Sequence, residues 1–271
     1  MTAHHTQRPS VAGKEGAKNL PVKHTLATWN VRTLNTEGNL EILINEISKF
    51  KIDLLGVSET HWNNTLTEAF EQDNFTIIHS CRKDGIKRQG VAIIVEKQLS
   101  KLMLSYECHN ERLLSATFDT VEGPITIFQV YAPDSSYSED VVEEFYDMLQ
   151  SKIDAIPKNQ TYMVMGDFNA KVGSDQQHVW PEAVGRYGLG EANDRGMQLL
   201  QFCAINDLAI SNTFYRHPKK RRVTWISPNG KNMNQIDYIL IQNKSRQMVK
   251  NSRAYHSAEI GSDHFPVLAH L

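Results

Sequence analysis

The chain has 271 residues, 40% of them hydrophobic and 22% charged, enough to bury a full core as one large domain without requiring a second. A formal net charge of -2 gives no global attraction to polyanions, so any nucleic-acid binding must come from a local patch. No stretch of about 18 apolar residues occurs and the N-terminus lacks the apolar run of a signal peptide, which predicts a soluble, intracellular protein.

Residues 1–22 are polar, rich in small residues and aperiodic, which predicts a disordered arm ahead of a domain over 23–271. From there, short apolar runs rich in β-formers predict strands at TLATWNV (25–31), IDLLGVSE (52–59), FTIIHS (75–80), GVAIIVE (90–96), LLSATFD (113–119) and ITIFQVYAP (125–133). Further candidates are YMVMGD (162–167), LAISNT (208–213), RVTWIS (222–227), IDYILI (236–241) and HFPVLAHL (264–271). Three stretches have helical spacing instead: Leu40, Leu43, Ile44 and Ile47; Val142, Phe145, Tyr146 and Leu149; Leu199, Leu200, Cys203 and Ala204. Each joins two strand candidates. Many strands with few helices fit two stacked sheets whose outer faces carry the helices. No solenoid-length repeat occurs, although ATWNV and VMGDFN both carry a strand into an asparagine, an echo that chance alone also allows.

Several strands end in chemistry rather than in ordinary turns. TWN ends at Asn30, LLGVSE at Glu59, FQVYAP passes Tyr131, VMGDFN carries Asp167 and Asn169, NQIDYIL carries Asp237, and GSDHFP carries Asp263 and His264. If the strand ends of two facing sheets share one edge, these side chains line a cleft. Carboxylate, carboxamide and water oxygens without thiolates select a hard cation, Mg²⁺ or Mn²⁺. Taken singly, each piece reads as a turn, a strand stopped by proline or a cap; the case rests on all of them occurring in one chain.

This ordered set resembles the endonuclease/exonuclease/phosphatase superfamily over roughly residues 24–271. Within it, TWNVRTL, GDFNAKVG, GLGEANDRG and GSDHFPVLAHL resemble the endonuclease domain of RTE-type non-LTR retrotransposons and the similar craniofacial development protein 2-like proteins. The resemblance implies a four-layer α/β sandwich of the DNase I-like kind, with two facing, mostly antiparallel sheets flanked by helices. It also implies a Mg²⁺-dependent phosphodiesterase, with Mn²⁺ as a possible substitute, that nicks DNA by in-line water attack and leaves a 3′-OH and a 5′-phosphate. On that basis Glu59 and Asn30 would hold the metal, and Asp263 would support it or orient a neighbour. Asp167 would orient or deprotonate water, Asn169 and Tyr131 would donate to phosphate oxygens, and His264, held by Asp237, would act as a cationic electrophile. One departure is Arg32, which stands where the apurinic-site repair branch has an acid; phosphate binding and pairing with an acid are both open to it.

The local basic patch is residues 216–236, with six Lys or Arg and no Asp or Glu. It contains Lys219, Lys220, Arg221, Arg222 and Lys231, and its Asn-Gly pair predicts a β-hairpin leading into Asp237 and flanking the cleft. Trp225 would either pack beneath the hairpin or stack on the nucleic acid, and KKRR also fits a nuclear import signal. His61, His79, His109 and His178 lack ligand spacing and read as surface or core residues. The GRYGLGEANDRG segment lacks the strand and lysine of a phosphate loop, and reads as a loop before a helix from about Asp194. Cys81, Cys108 and Cys203 form no C-x-x-C pair and predict neither disulfides nor a zinc site. The expected partner is DNA, bound by a monomeric domain in the nucleus, with no membrane and no nucleotide cofactor. The alternatives are another phosphoesterase of the superfamily, or a catalytically silent, transposon-derived DNA- or chromatin-associated protein.

Overall fold

A computed structural model describes residues 24–63 and 68–271; the segment 1–22, expected as a disordered arm, lies outside the described residues. In chain order the elements begin with β1 (Thr25–Asn30), α1 (Asn39–Phe50), β2 (Leu54–Ser58), β3 (Ala69–Gln72), β4 (Phe75–Ser80), β5 (Val91–Glu96) and the one-turn α2 (Lys97–Ser100). β6 (Met103–Asn110), β7 (Leu113–Phe118), β8 (Ile125–Tyr131), α3 (Glu139–Asp154) and β9 (Thr161–Asp167) follow. The last third holds α4 (Asp194–Ile205), β10 (Leu208–Ile210), β11 (Trp225–Ile226), β12 (Met233–Asn234), β13 (Asp237–Gln242), β14 (Asn251–Ala254) and β15 (Val267–His270).

One sheet has seven strands in the order β14-β15-β1-β2-β5-β4-β3, and the other has six in the order β10-β13-β9-β8-β7-β6. Among these ladders only β1–β2 and β8–β9 are parallel. Parallel neighbours need a long crossover, and α1 and α3 supply the two. Leu43, Ile44 and Ile47 bury one stripe of α1 against the outer face of the seven-stranded sheet, each contributing about 1.5–3 kcal/mol by burial. Phe145, Leu149, Leu199 and Cys203 of α3 and α4 cover the outer face of the other sheet. Leu26, Leu54, Ile93, Leu114, Met163 and Ile239 fill the space between the sheets. The result is the expected four-layer sandwich, helix, sheet, sheet, helix.

A polar seam crosses that central layer near the end where β1 and β2 stop. Thr28 Oγ1 donates to Gln129 Oε1 at 3.2 Å, Gln129 Nε2 donates to Ser58 Oγ at 2.9 Å, and Ser58 Oγ donates to Val130 O at 3.1 Å. Gly56 makes room for it, since a Cβ there would lie 1.8 Å from Gln129 Oε1. No helix of the described residues is long and apolar enough to cross a membrane.

Three strands escaped the sequence reading, β3, β6 and β14. β6 shows why: it is a sheet edge whose residues are almost all half-buried, so no apolar run marks it. The hairpin forms as expected from β11 and β12, but Asn229 and Gly230 do not make a two-residue turn. Gly230 N instead closes on Ser227 O at 2.7 Å, Gly230 alone of the turn takes positive φ, at 70°, and Asn229 Oδ1 accepts from Ser227 Oγ and Lys231 N. The helix expected near Asp194 starts there, capped by the Asn193 side chain accepting from Gly196 N.

Candidate active site

Strand direction explains why the polar residues meet. β1, β2, β8 and β9 run the same way within their parallel pairs and end together, with Asn30 opposite Ser58 and Tyr131 opposite Asp167. β13 runs antiparallel to β9, so its first residue, Asp237, lies opposite Asp167. His264 bridges to Trp225 just before β15. Gly166 precedes Asp167 because the backbones are tight there: a Cβ would sit 2.0 Å from Val130 O, at a φ of 155°.

Asn30, 1% exposed, joins the two sheets. Its Nδ2 donates to Glu59 Oε1 at 2.8 Å and to Asp167 Oδ2 at 2.9 Å, while its Oδ1 accepts from Arg32 N at 3.0 Å. The amide therefore clamps two carboxylates with its nitrogen, while its oxygen accepts the backbone N–H of Arg32 on one of its two lone pairs. Asp167 Oδ1 accepts from Asn169 N at 2.9 Å, and Asn169 Nδ2 donates to Ala132 O at 3.0 Å, which leaves its second N–H for another acceptor. His264 Nδ1 lies 3.2 and 3.1 Å from the two oxygens of Asp237, and its Nε2 is 3.9 Å from Asp167 Oδ2. Its turn is fastened to β1: Ser262 Oγ donates to Asn30 O, His264 N donates to Ser262 Oγ, and Trp29 Nε1 donates to His264 O. Five of the eight described non-glycine residues with positive φ, Arg32, Glu59, His61, Gln89 and Asn169, lie on this edge, where such strain at about 1 kcal/mol or more apiece is concentrated.

Burial would raise the Glu59 carboxyl, but hydrogen bonds from His61, Asn30 and Tyr131 outweigh it and hold the group below its ordinary value. Burial and then the charge of Asp237 push the Asp167 carboxyl up, against His264 and Asn30. Burial disfavours a charged His264, yet Asp237 and Asp167 overcome it and raise the imidazole above its ordinary value. Burial, Glu59 and Asp167 keep the Tyr131 phenol protonated. Near neutrality the site therefore pairs a donor-rich imidazolium and phenol with carboxylates of unlike proton affinity, the combination acid–base chemistry on an anionic ester requires. Oxygen donors without thiolates fit a hard cation. Glu59, anionic and with its side chain 21% exposed, fits that ligand role, whereas His264 Nδ1 is already engaged by Asp237 although Asp167, Asp237 and His264 bring three ligand atoms within 4.8 Å of one another.

At the rim, Asp263 and Trp225 take one of their two expected roles each, and Arg222 and His61 depart from expectation. Asp263 Oδ2 accepts from Trp225 Nε1 at 2.9 Å, and Asp263 Oδ1 lies 3.6 Å from Arg32 Nε. Asp263 thus ties the hairpin and Arg32 together, with no hydrogen bond or ion pair to Glu59 among the described residues. Trp225 packs beside the His264 ring, with centroids 6.4 Å apart, rather than standing free to stack. Arg222 is a structural clamp: its Nη1 donates to Tyr187 O and Gly188 O. Lys219, Lys220, Arg221 and Lys231 are exposed, and the hairpin is bolted to the His264 segment through Ile226 N to Asp263 O and Phe265 N to Thr224 O. His61, read from sequence as surface or core, lies 3.4 Å from Glu59 Oε2 through its Nε2. A second basic rim loop was also missed, with exposed Lys83, Lys87 and Arg88 next to Gln89 and Gly90, whose carbonyls accept from His61 N and Thr60 N. Its charge density was legible in CRKDGIKRQG, but its position depends on the β4–β5 connection.

Two facing sheets flanked by helices, with one convergent carboxylate–histidine edge, make a four-layer α/β sandwich. The chain belongs to the Endonuclease/Exonuclease/phosphatase family, whose model matches residues 27–264. It is 36% identical over 247 residues to "Craniofacial development protein 2" of Bos taurus, covering 91% of this chain and 40% of that relative, and equally similar to the Tragulus javanicus protein. The chain thus spans about two-fifths of the length of these relatives. In fold it is similar to the APE2 catalytic domain of Xenopus laevis, with a TM-score of 0.70, 17% identity and 90% of each chain covered. It is likewise similar to the endonuclease domain of TRAS1, a telomere-specific non-LTR retrotransposon (TM-score 0.63, 14% identity, 92% and 98% covered), and to the Neisseria 3′ phosphatase NExo bound to a product DNA hairpin (TM-score 0.67, 19% identity, 91% and 98% covered).

Proposed function

We propose that this protein is a Mg²⁺-dependent DNA endonuclease that nicks by in-line attack of water and leaves a 3′-OH and a 5′-phosphate. The observation that carries this reading is the Asp167–His264–Asp237 group, almost wholly buried where the two sheets meet and flanked by exposed basic loops. Asp167, with its raised proton affinity, accepts a proton from water as the attack develops. His264, kept cationic by Asp237, donates through Nε2 toward a phosphate oxygen, and Tyr131 and the free N–H of Asn169 donate to the same charge as it grows. Glu59 would hold the metal, whose chemistry when bound is to neutralise phosphate and leaving-group charge. Lys219, Lys220, Arg221 and Lys231 on one side, with Lys83, Lys87 and Arg88 on the other, supply the electrostatic surface for a duplex. Arg32, 54% exposed and only 3.6 Å from Asp263, exchanges that weak pair for a phosphate. On this reading the protein acts on nuclear DNA, as a monomer.

The 36% identical relatives are named for development and not for a reaction, which leaves a second reading, a catalytically silent DNA- or chromatin-associated protein. Supercoiled-plasmid relaxation separates the two. Nicking that needs Mg²⁺ or Mn²⁺ and stops in EDTA supports the enzyme; no cleavage with either ion supports the silent protein, and cleavage persisting in chelator sinks the metal role of Glu59.

A further inference from the structure

Next to Tyr131 lies a guanidinium that the chemistry above does not use. Arg112 is only 6% exposed, yet no carboxylate pairs with it among the described residues. A buried cation without an anion is costly, so something else must stabilise it. Its guanidinium carbon lies 5.1 Å from the centroid of the Tyr131 ring and 4.8 Å from that of Tyr137, a cation held between two aromatic faces. Arg112 also brackets the Tyr131 backbone, donating from Nη1 to Tyr131 O at 3.1 Å and accepting from Tyr131 N at 2.9 Å.

The outer ring is fixed in turn. Tyr137 OH accepts from Gln89 Nε2 at 3.1 Å, Gln89 is 8% exposed with a φ of 59°, and Arg82 Nη1 donates to Gln89 Oε1 at 3.0 Å. A continuous stack therefore runs from the basic rim loop through Gln89, Tyr137 and Arg112 to the Tyr131 ring.

We propose that Arg112 is a positioning residue: held by Tyr137, it locks the Tyr131 ring so that its O–H is aimed at the reacting phosphate before substrate arrives. The kinetic half rests on the phosphodiesterase reading; the clamp itself rests on geometry. A donor oriented in advance matters most in the transition state, so loosening it slows turnover without weakening substrate binding.

The test combines ring dynamics with a double-mutant cycle on Arg112→Met and Tyr131→Phe. Flip rates of the Tyr131 ring are read by aromatic ¹³C NMR, with the resonance assigned by its loss in Tyr131→Phe. In Arg112→Met the ring flips faster. Plasmid-nicking kcat drops about tenfold or more, the size expected for one desolvated cation–π contact, while KM barely moves. The double variant is no slower than Tyr131→Phe alone. Arg112→Lys, which keeps charge but not the planar stack, recovers only part of the loss. Should Arg112→Met fold poorly, Tyr137→Leu removes the outer ring alone and carries the same readouts.

Unchanged flip rates, or single effects that multiply in the double variant, would overturn the clamp. A KM and affinity loss persisting in the Tyr131→Phe background would make Arg112 a direct phosphate contact instead. If the wild type nicks nothing, the phosphodiesterase reading fails with the kinetic half, while the flip rates still decide the clamp.

Discussion

Replacing Asn30 by alanine removes the one amide that holds two carboxylates apart and in place. Each of its bonds, 2.8 Å to Glu59 and 2.9 Å to Asp167, is a hydrogen bond to a charged group, worth about 1.5–3 kcal/mol. The Asp167 share counts in full because that residue is 1% exposed and water cannot replace the donor. The Glu59 share is discounted, since its side chain is 21% exposed and can be rehydrated. The sum is about 3 kcal/mol, or a fall in thermal midpoint of roughly 6–12 °C for a domain of this size. Asn30 lowers the proton affinity of Glu59, so its stabilisation is present above the ordinary carboxylate pKa and is lost as pH falls. Scanning calorimetry in EDTA at pH 7 and near pH 4 should find a large gap between wild type and Asn30→Ala at the higher pH and a smaller one at the lower. Asn30→Asp, nearly isosteric but adding a third carboxylate, should lose more at pH 7. An unchanged midpoint, or a loss equal at both pH values, would mean the residue contributes packing only.

Asp237 raises both Asp167 and His264, so the cleavage profile should be a bell, and Asp237→Asn should move its acid and alkaline limbs both to lower pH; a limb that stays or rises contradicts the electrostatics. The same sign governs stability, because the raised His264 contributes fully below its ordinary pKa and its contribution fades as pH rises through the folded value. Gly56→Ala should destabilise by about 3 kcal/mol, since the new methyl must expel the Gln129 amide from its bonds to Thr28 and Ser58, and a denaturant midpoint within error of wild type would refute that. Neutralising Lys219, Lys220 and Arg221 together should weaken DNA binding and flatten its salt slope by up to about one log-log unit per lost contact. Arg222→Gln should lower the melting temperature and leave that slope alone, given its bonds to Tyr187 and Gly188; a shallower slope would return Arg222 to the DNA surface.

Much of the architecture was legible because its signals are local. Strand cores such as GVAIIVE and helical stripes such as Leu43, Ile44 and Ile47 state their period and their buried face directly. The polar strand ends were legible too, and Asn30, Tyr131, Asp167, Asp237 and His264 do meet at one edge. What sequence could not supply was direction and competition within that edge. Asn30 turns its nitrogen, not its oxygen, toward the carboxylates because Arg32 N takes the oxygen. Asp263 is claimed by Trp225, and Arg222 by two backbone carbonyls, through loops that come together only in the folded chain. His61, two residues past Glu59 at the end of β2, and Arg112, in the turn between β6 and β7, belong to no ligand or strand-end pattern that sequence could flag.

The central claim, that the Asp167–His264–Asp237 edge cleaves DNA, is tested most directly by the nicking rate of supercoiled plasmid for wild type, His264→Ala and Asp167→Asn, with DNA affinity and thermal midpoint measured on the same samples. Mg²⁺-dependent nicking should fall on the order of a hundredfold or more in either variant, with DNA affinity nearly intact. A folded His264→Ala protein that nicks at the wild-type rate would contradict it.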